Sequence, residues 1–163
     1  MAHPPPKVEE ASGGCLKGQR RDSRRDLRLI GGMDASRGFT IDEWLAAARA
    51  GMPRVPPEAL AGEQVAGALV VDIRPVEQRH RDGDLSGALV IDRNVLEWRL
   101  APSSPNRVVD IDGGRKVIVV CNEGYQSSLA AATLRRLGVD GATDLIGGYQ
   151  GLLAMWSGSR NDG

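Results

Sequence analysis

The sequence predicts an α/β fold, a parallel sheet covered by helices on both faces, and three observations lead there. Short apolar runs recur along the chain, "GALVVDIRP", "GALVIDRN", "KVIVV" and "ATDLI", and runs without polar alternation are the pattern of strands buried from both sides. Segments with helical spacing of apolar residues separate them. Composition agrees: aromatics make up 4% of the 163 residues and glycine numbers 21, which suits a core of Val, Ile, Leu and Ala joined by glycine-rich turns.

A chain of this length supports one sizeable core. A single domain over residues 36–158 is therefore expected, between an N-terminal tail, 1–35, and a short C-terminal tail, 159–163. The stretch "KVEEASGGCLKGQRRDSRRDLRLIGG" has almost no apolar periodicity, so burial cannot offset its ordering entropy and a disordered tail is expected. Its cluster "RRDSRRDLR" is interrupted by acids and lacks aromatics, which favours a solvated charge cluster over an RNA-binding arm.

Order begins at "FTIDEWLAAARAG". Thr40 and Glu43 have the spacing of a capping box, and Ile41, Trp44, Leu45 and Ala48 form one helical face. Gly51 and Pro53 stop this helix. A second helical segment runs from Pro57 to about Val65. The strand "GALVVDIRP" follows, then "VEQRHRDGDLS", long enough for a short helix and a turn, then the strand "GALVIDRN". Asp72 and Asp92 end these two strands. Residues 116–120 form a further strand, "SSLAAATLRRLG" a helix, "ATDLI" a strand, and "GYQGLLAMW" a last helix.

Charge and cysteine content exclude several functions. Lys+Arg and Asp+Glu balance at 21 each, so no overall field attracts nucleic acid or an anionic membrane. The two cysteines, Cys15 and Cys121, are far apart, and neither a disulfide framework nor a zinc site is suggested. No metal or other cofactor is expected. No run reaches membrane-spanning length and the start "MAHPPPKVEE" lacks a signal-peptide core, so a soluble cytoplasmic protein is expected. His3 and His80 are the only histidines, and His80 falls in a charged helix where exposure is the natural reading.

In a parallel sheet the ligand crevice lies beyond the carboxyl ends of the strands, and Cys121 is the first residue past such an end. If the next helix starts near Gln126 or Ser127, the segment Cys121-Asn122-Glu123-Gly124-Tyr125-Gln126 must curl from strand to helix. Gly124 permits the required backbone, and successive N–H groups together with the helix N-terminus form an anion-binding cup. A sulfur in that cup is expected to be held as thiolate, a nucleophile that needs no histidine beside it. An ordinary small buried cysteine is the alternative reading of Cys121 taken alone.

Three stretches in order, "VVDIRPVEQRHRDGDLSGALVI", "VIVVCNEGYQSSLAAATLRRLG" and "ATDLIGGYQGLLAMW", resemble the successive signatures of a rhodanese domain over roughly residues 40–157. The resemblance implies a five-stranded parallel sheet flanked by helices. It also implies a sulfurtransferase whose cysteine, here Cys121, takes a sulfane sulfur from a donor such as thiosulfate or a thiol persulfide. That sulfur would pass to a small thiol or a protein acceptor. Residues 122–126 would hold the persulfide through backbone N–H groups, with Asn122, Glu123, Gly124, Tyr125, Gln126 and Ser127 lining the site. "GDLSGA" replaces the Gly-His-Ile-Pro-Gly-Ala common in the family, a change in the turn before the second strand.

The loop departs from thiosulfate-preferring relatives in having no Arg or Lys and one acid, Glu123, which lowers the expectation of a dianionic donor. Tyr125 could present an apolar face, and Gln126 an uncharged donor. Arg74 is the best basic candidate near the mouth, with Arg93 and Arg99 behind it, although a buried Asp72–Arg74 pair is the preferred reading of that strand end. Two rival functions stand beside sulfur transfer. Phosphatases and arsenate reductases of related fold place Arg six residues after the cysteine, where this chain has Ser127. A persulfide carrier or regulatory binding module with little turnover is the other.

Overall fold

The computed structural model describes residues 38–111 and 114–158. The expected tails at 1–35 and 159–163, with Cys15, lie outside the described residues. From Phe39 onward the described residues form one compact unit.

Four parallel strands form the sheet: β1 (Leu69–Asp72), β2 (Leu89–Val90), β3 (Val117–Val120) and β4 (Ala142–Asp144), in spatial order β2-β1-β3-β4. In register, Val71 and Asp72 stand beside Leu89 and Val90 on one side of β1 and beside Val119 and Val120 on the other. The expected fifth strand is reduced to one parallel bridge, Val55 to Leu145. Val55 N–H donates to Asp144 O (2.9 Å) and Ile146 N–H to Val55 O (2.8 Å). Pro53 and Pro56 flank this bridge, and neither has an N–H to extend the ladder.

Helix α1 (Ile41–Arg49) starts at the capping box read from the sequence: Thr40 accepts from Glu43 N–H and the Glu43 side chain accepts from Thr40 N–H. A 3₁₀ turn, Pro57–Ala59, leads into α2 (Leu60–Val65), and α3 (Val76–Asp82) follows β1. Helix α5 (Gln126–Arg136) follows the Cys121 loop, and α6 (Gly148–Gly158) follows β4.

One helix was not anticipated, α4 (Leu96–Leu100), entered through a 3₁₀ turn at Arg93–Val95. Its signal was present. Asp92 Oδ1 accepts from Asn94 N–H (2.8 Å) as a cap, and Leu96 and Leu100, one turn apart, are both fully buried. Reading Asp92 only as a strand end concealed it.

Alternation along the strands divides the core. Val71, Val117 and Val119 pack with Leu96, Leu100, Ala130, Ala131 and Leu134 on one face. Val70, Ile118 and Val120 pack with Leu60, Leu145, Tyr149 and Leu152 on the other. Both sides of β3 are therefore dry, which is why its sequence is uniformly apolar. Cys121 continues the first face at the strand's carboxyl end.

Leu134, in the last turn of α5, has no solvent exposure. Leu134→Ala should destabilise the domain by about 2–5 kcal/mol, measured as a lowered urea midpoint with an unchanged slope. An equal-sized change at exposed Leu137 should move the midpoint far less.

Candidate active site

Cys121 sits where β3 ends, 8% exposed. Its Sγ accepts from the N–H groups of Gly124 (3.2 Å) and Ser127 (3.3 Å) and lies 3.2 Å from Ser127 Oγ. Helix α5 begins at Gln126, as expected, so the sulfur lies at its N-terminus, where unpaired N–H groups and the helix dipole favour negative charge. Among the described residues, the N–H groups of Glu123, Tyr125 and Gln126 have no acceptor. Two N–H groups thus engage the sulfur, and others in the same loop are unbonded.

The curl is enforced from behind. The first N–H groups of α6 reach across the loop: Tyr149 N–H donates to Cys121 O (2.9 Å) and Gln150 N–H to Asn122 O (2.9 Å). These bonds turn the loop carbonyls away from the sulfur. Such an approach leaves no room for side chains. A Cβ on Gly148 would lie 2.5 Å from Cys121 O and 2.7 Å from Asn122 O. Gly124, at φ +79°, would place one 2.9 Å from Gly147 N. The Gly147-Gly148 pair is thus part of the site.

Side chains from distant segments complete the frame. Gly124 O accepts from Arg49 Nη2 (2.9 Å) and Arg54 Nη2 (3.3 Å). Arg54 also holds the fully buried Asp144 through Nε (2.8 Å) and Nη2 (2.9 Å). Ser128 Oγ lies 2.7 Å from Asp144 Oδ2, and Ser127 Oγ lies 3.2 Å from the same oxygen. The Ser127 hydroxyl therefore stands between Asp144 and the Cys121 sulfur, with one proton for two acceptors. On the other side, Gln150 Nε2 bridges Asn122 Oδ1 (3.1 Å) and Asp82 Oδ2 (3.0 Å). The hydrogen bond from Arg81 holds the Asp82 carboxyl below its ordinary value, with the charge of Arg74 and the Gln150 bond adding to the effect.

A cavity of about 280 Å³ opens onto the sulfur, lined by Ile73, Arg74, Pro75, Gln78, Cys121, Asn122, Glu123, Tyr125 and Gln126. It brings together the expected residues 121–123, 125, 126 and Arg74. Gly124 and Ser127 are buried beneath it. A second, apolar groove of about 420 Å³ on α4, which includes Trp98 and Leu137, is larger but has no cysteine among its lining residues.

The expectation that Arg74 offers a basic contact is met only in position. Its guanidinium is fully buried, bonded to Asp72 through Nε (3.0 and 3.1 Å) and Nη2 (2.7 Å), and donates to Gly83 O (2.9 Å). Its Cζ lies 3.6 Å from the centre of the Tyr149 ring. Arg93 and Arg99, expected behind it, do not line the cavity; they sit beside α4, bonded to Glu97 and to Asn106 O. His80 is exposed, as read from the sequence.

Sequence reasoning missed Arg49, Arg54, Gln78, Ser128, Asp144, Tyr149 and Gln150. Arg54 and Asp144 are 90 positions apart, and no local pattern couples them. Only the Gly-Gly segment carried a signal for its own neighbourhood. Among the described residues no group of three His, Cys, Asp or Glu side chains could hold a metal ion, and no helix is long and apolar enough to cross a membrane.

Several known proteins are similar to this chain. The family model for the rhodanese-like domain matches residues 56–155. The thiosulfate sulfurtransferase GlpE of Stutzerimonas stutzeri is 32% identical over 97 residues, covering 60% of this chain and 81% of that protein. The human single-domain sulfurtransferase TSTD1 is similar in structure at a TM-score of 0.53 and 25% identity, over 64% of this chain and 97% of that one. A protein of unknown function from Rhodopseudomonas palustris, put forward as a possible tyrosine phosphatase, is similar at a TM-score of 0.66 and 25% identity. That match covers 76% of this chain and 96% of the other.

The contact at Gly148 yields a paired prediction. Gly148→Ala should lower stability by more than about 1 kcal/mol, because the new methyl meets backbone that cannot swing aside and the φ of +59° is unfavourable for alanine. Gly62→Ala, in α2 with open space around it, should instead raise stability by about 0.5–1 kcal/mol. Thermal unfolding of both variants checks the pair.

Proposed function

Because the chain belongs to the rhodanese-like domain family, we propose that it is a sulfurtransferase in which Cys121 accepts and passes on a sulfane sulfur. The observation that carries this reading is the Cys121 sulfur itself, bonded by the Gly124 and Ser127 N–H groups on the floor of an open cavity. Relatives named thiosulfate sulfurtransferase support the reaction class.

Two displacements make up the cycle. In the first, the Cys121 thiolate attacks the outer sulfur of the donor; the Sγ–S bond forms, the donor's own bond to that sulfur breaks, and its electron pair leaves with the donor remnant. In the second, an acceptor thiolate attacks the same sulfur and Cys121 is regenerated. Neither step needs a general base once the thiolate exists. The unbonded N–H groups of Glu123, Tyr125 and Gln126 supply donors for the terminal sulfur of the intermediate. Asn122 and Gln126 line the approach. The acceptor is a small thiol or a thiol on another protein.

A phosphatase reading, raised by the similarity to the R. palustris protein, lacks its main stabiliser. Transferred phosphoryl oxygens need a cationic clamp. Ser127 stands where related phosphatases place arginine, and the one arginine on the cavity wall is paired with Asp72.

Incubation with thiosulfate, with a thiol persulfide, or with neither, followed by intact mass measurement, tests the proposal. A gain of one sulfur in wild type and none in Cys121→Ser is the expected result, with the mass returning on addition of excess thiol. Repeated rounds of gain and release distinguish an enzyme from a slow carrier. No gain with any donor sinks the reading, as does hydrolysis of an aryl phosphate that depends on Cys121.

A further inference from the structure

The walls of the cavity carry an uneven charge. Arg74 is the only basic residue among those that line it, and its guanidinium is fully buried against Asp72. Arg49 and Arg54 approach the loop from behind, bonded to Gly124 O, and do not line the cavity. Glu123, by contrast, is exposed on the wall. Its one hydrogen bond among the described residues comes from Asn122 Nδ2 at 3.4 Å, and it has no ion-pair partner there. Among the described residues that line the cavity, one charge is therefore uncompensated, and it is negative; the Arg49 guanidinium, 6.0 Å from the centre of the Tyr125 ring, lies outside the lining.

The remaining walls add shape. Ile73 and Pro75 are apolar, Gln78 and Gln126 offer neutral amides, and the Tyr125 ring is 58% exposed at the rim. The volume, about 280 Å³, lies just below the range for small-molecule sites, about 300–1,000 Å³. It suits a donor of few heavy atoms. The N–H groups of the loop accommodate one anionic sulfur; a second anionic group on the donor would find neutral amides and the Glu123 carboxylate on the described walls, and no cation that is not already ion-paired.

We propose that the sulfur donor is a small thiol persulfide whose organic part carries an ammonium group, and that Glu123 is the residue that selects it. This rests on the sulfur-transfer reading and specifies its substrate class. The step balances without a further reactant. Cys121–S⁻ attacks the outer sulfur of R–S–SH, the Sγ–S bond forms as the donor S–S bond breaks, and R–S⁻ departs with the electron pair. The Cys121 persulfide keeps the proton or loses it to solvent. With thiosulfate the same attack expels sulfite, a dianion that must leave past the Glu123 carboxylate.

The test compares donors of nearly equal size and opposite charge: the persulfides of cysteamine and of 3-sulfanylpropionate, with thiosulfate as a third. Loading of Cys121 in a single turnover is followed by intact mass. The ammonium donor should load wild type about tenfold faster than the carboxylate donor at low salt, a ratio in keeping with one partly hydrated charge pair. In Glu123→Gln the ratio should fall toward one, and in Glu123→Lys it should invert. The assignment is overturned if the carboxylate donor or thiosulfate loads wild type as fast as the ammonium donor, or if Glu123→Gln leaves the ratio unmoved. Loading by every donor at one rate defeats this inference alone. Loading by none defeats the sulfur-transfer reading beneath it.

Discussion

The site depends on one backbone-to-backbone contact, the N-terminus of α6 laid across the loop after β3. Two bonds, Tyr149 N–H to Cys121 O and Gln150 N–H to Asn122 O, satisfy donors that a helix start leaves unpaired and carbonyls that a sharp turn exposes. They also fix the direction of the loop peptides. With these carbonyls drawn backward, the N–H groups of Gly124 and Ser127 are left for the sulfur. The contact requires glycine at 124 and at 148, where a Cβ would run into backbone. The Gly-Gly segment and the cysteine loop are therefore two halves of one structure, although Gly124 and Gly147 are 23 positions apart in the chain.

Cations near this structure serve the frame. Arg54 closes the distance between the turn after α1 and the end of β4 by binding Asp144 with two nitrogens, and Arg74 binds Asp72, two positions before it at the end of β1, while donating to Gly83 O. Both acids are fully buried. An unpaired carboxylate there would cost several kcal/mol, so each arginine is bound to its place by the desolvation of its partner, about 3–5 kcal/mol on removal of either one. A guanidinium so committed is a poor ligand for a passing anion. Of the charged side chains among the described residues that line the cavity, the one left without an ion pair is Glu123.

Much of this was legible in the sequence because it is written locally. The capping box at Thr40 and Glu43, the dry strand at 117–120, the glycine in the curl and the start of α5 at Gln126 each follow from neighbours within a few positions. The order of three motifs carried the family, as the match over 56–155 agrees. What escaped was of two kinds. The fifth strand shrank to the Val55 bridge because its flanking prolines have no N–H, a detail that a family pattern does not convey. The Arg49, Arg54, Ser128 and Asp144 network joins segments 70–90 positions apart, where single residues carry no periodicity. Gln150 was hidden for the same reason, since its amide matters only once α6 lies against Asn122 and Asp82.

Ser127 shows how the two halves of the site bear on chemistry. It is fully buried, and its hydroxyl meets the Cys121 sulfur on one side and Asp144 on the other. An arginine side chain at this position would have to leave the core, since the space beneath the loop is already filled by Asp144 and its partner Arg54. The positive charge that phosphoryl transfer requires in front of the loop is here held behind it. Sulfur transfer makes no such demand: a thiolate enters, a thiolate or sulfite leaves, and the developing charge stays on sulfur within reach of neutral N–H donors. Placing the cation behind the loop rather than in it thus favours a reaction whose charge moves from sulfur to sulfur.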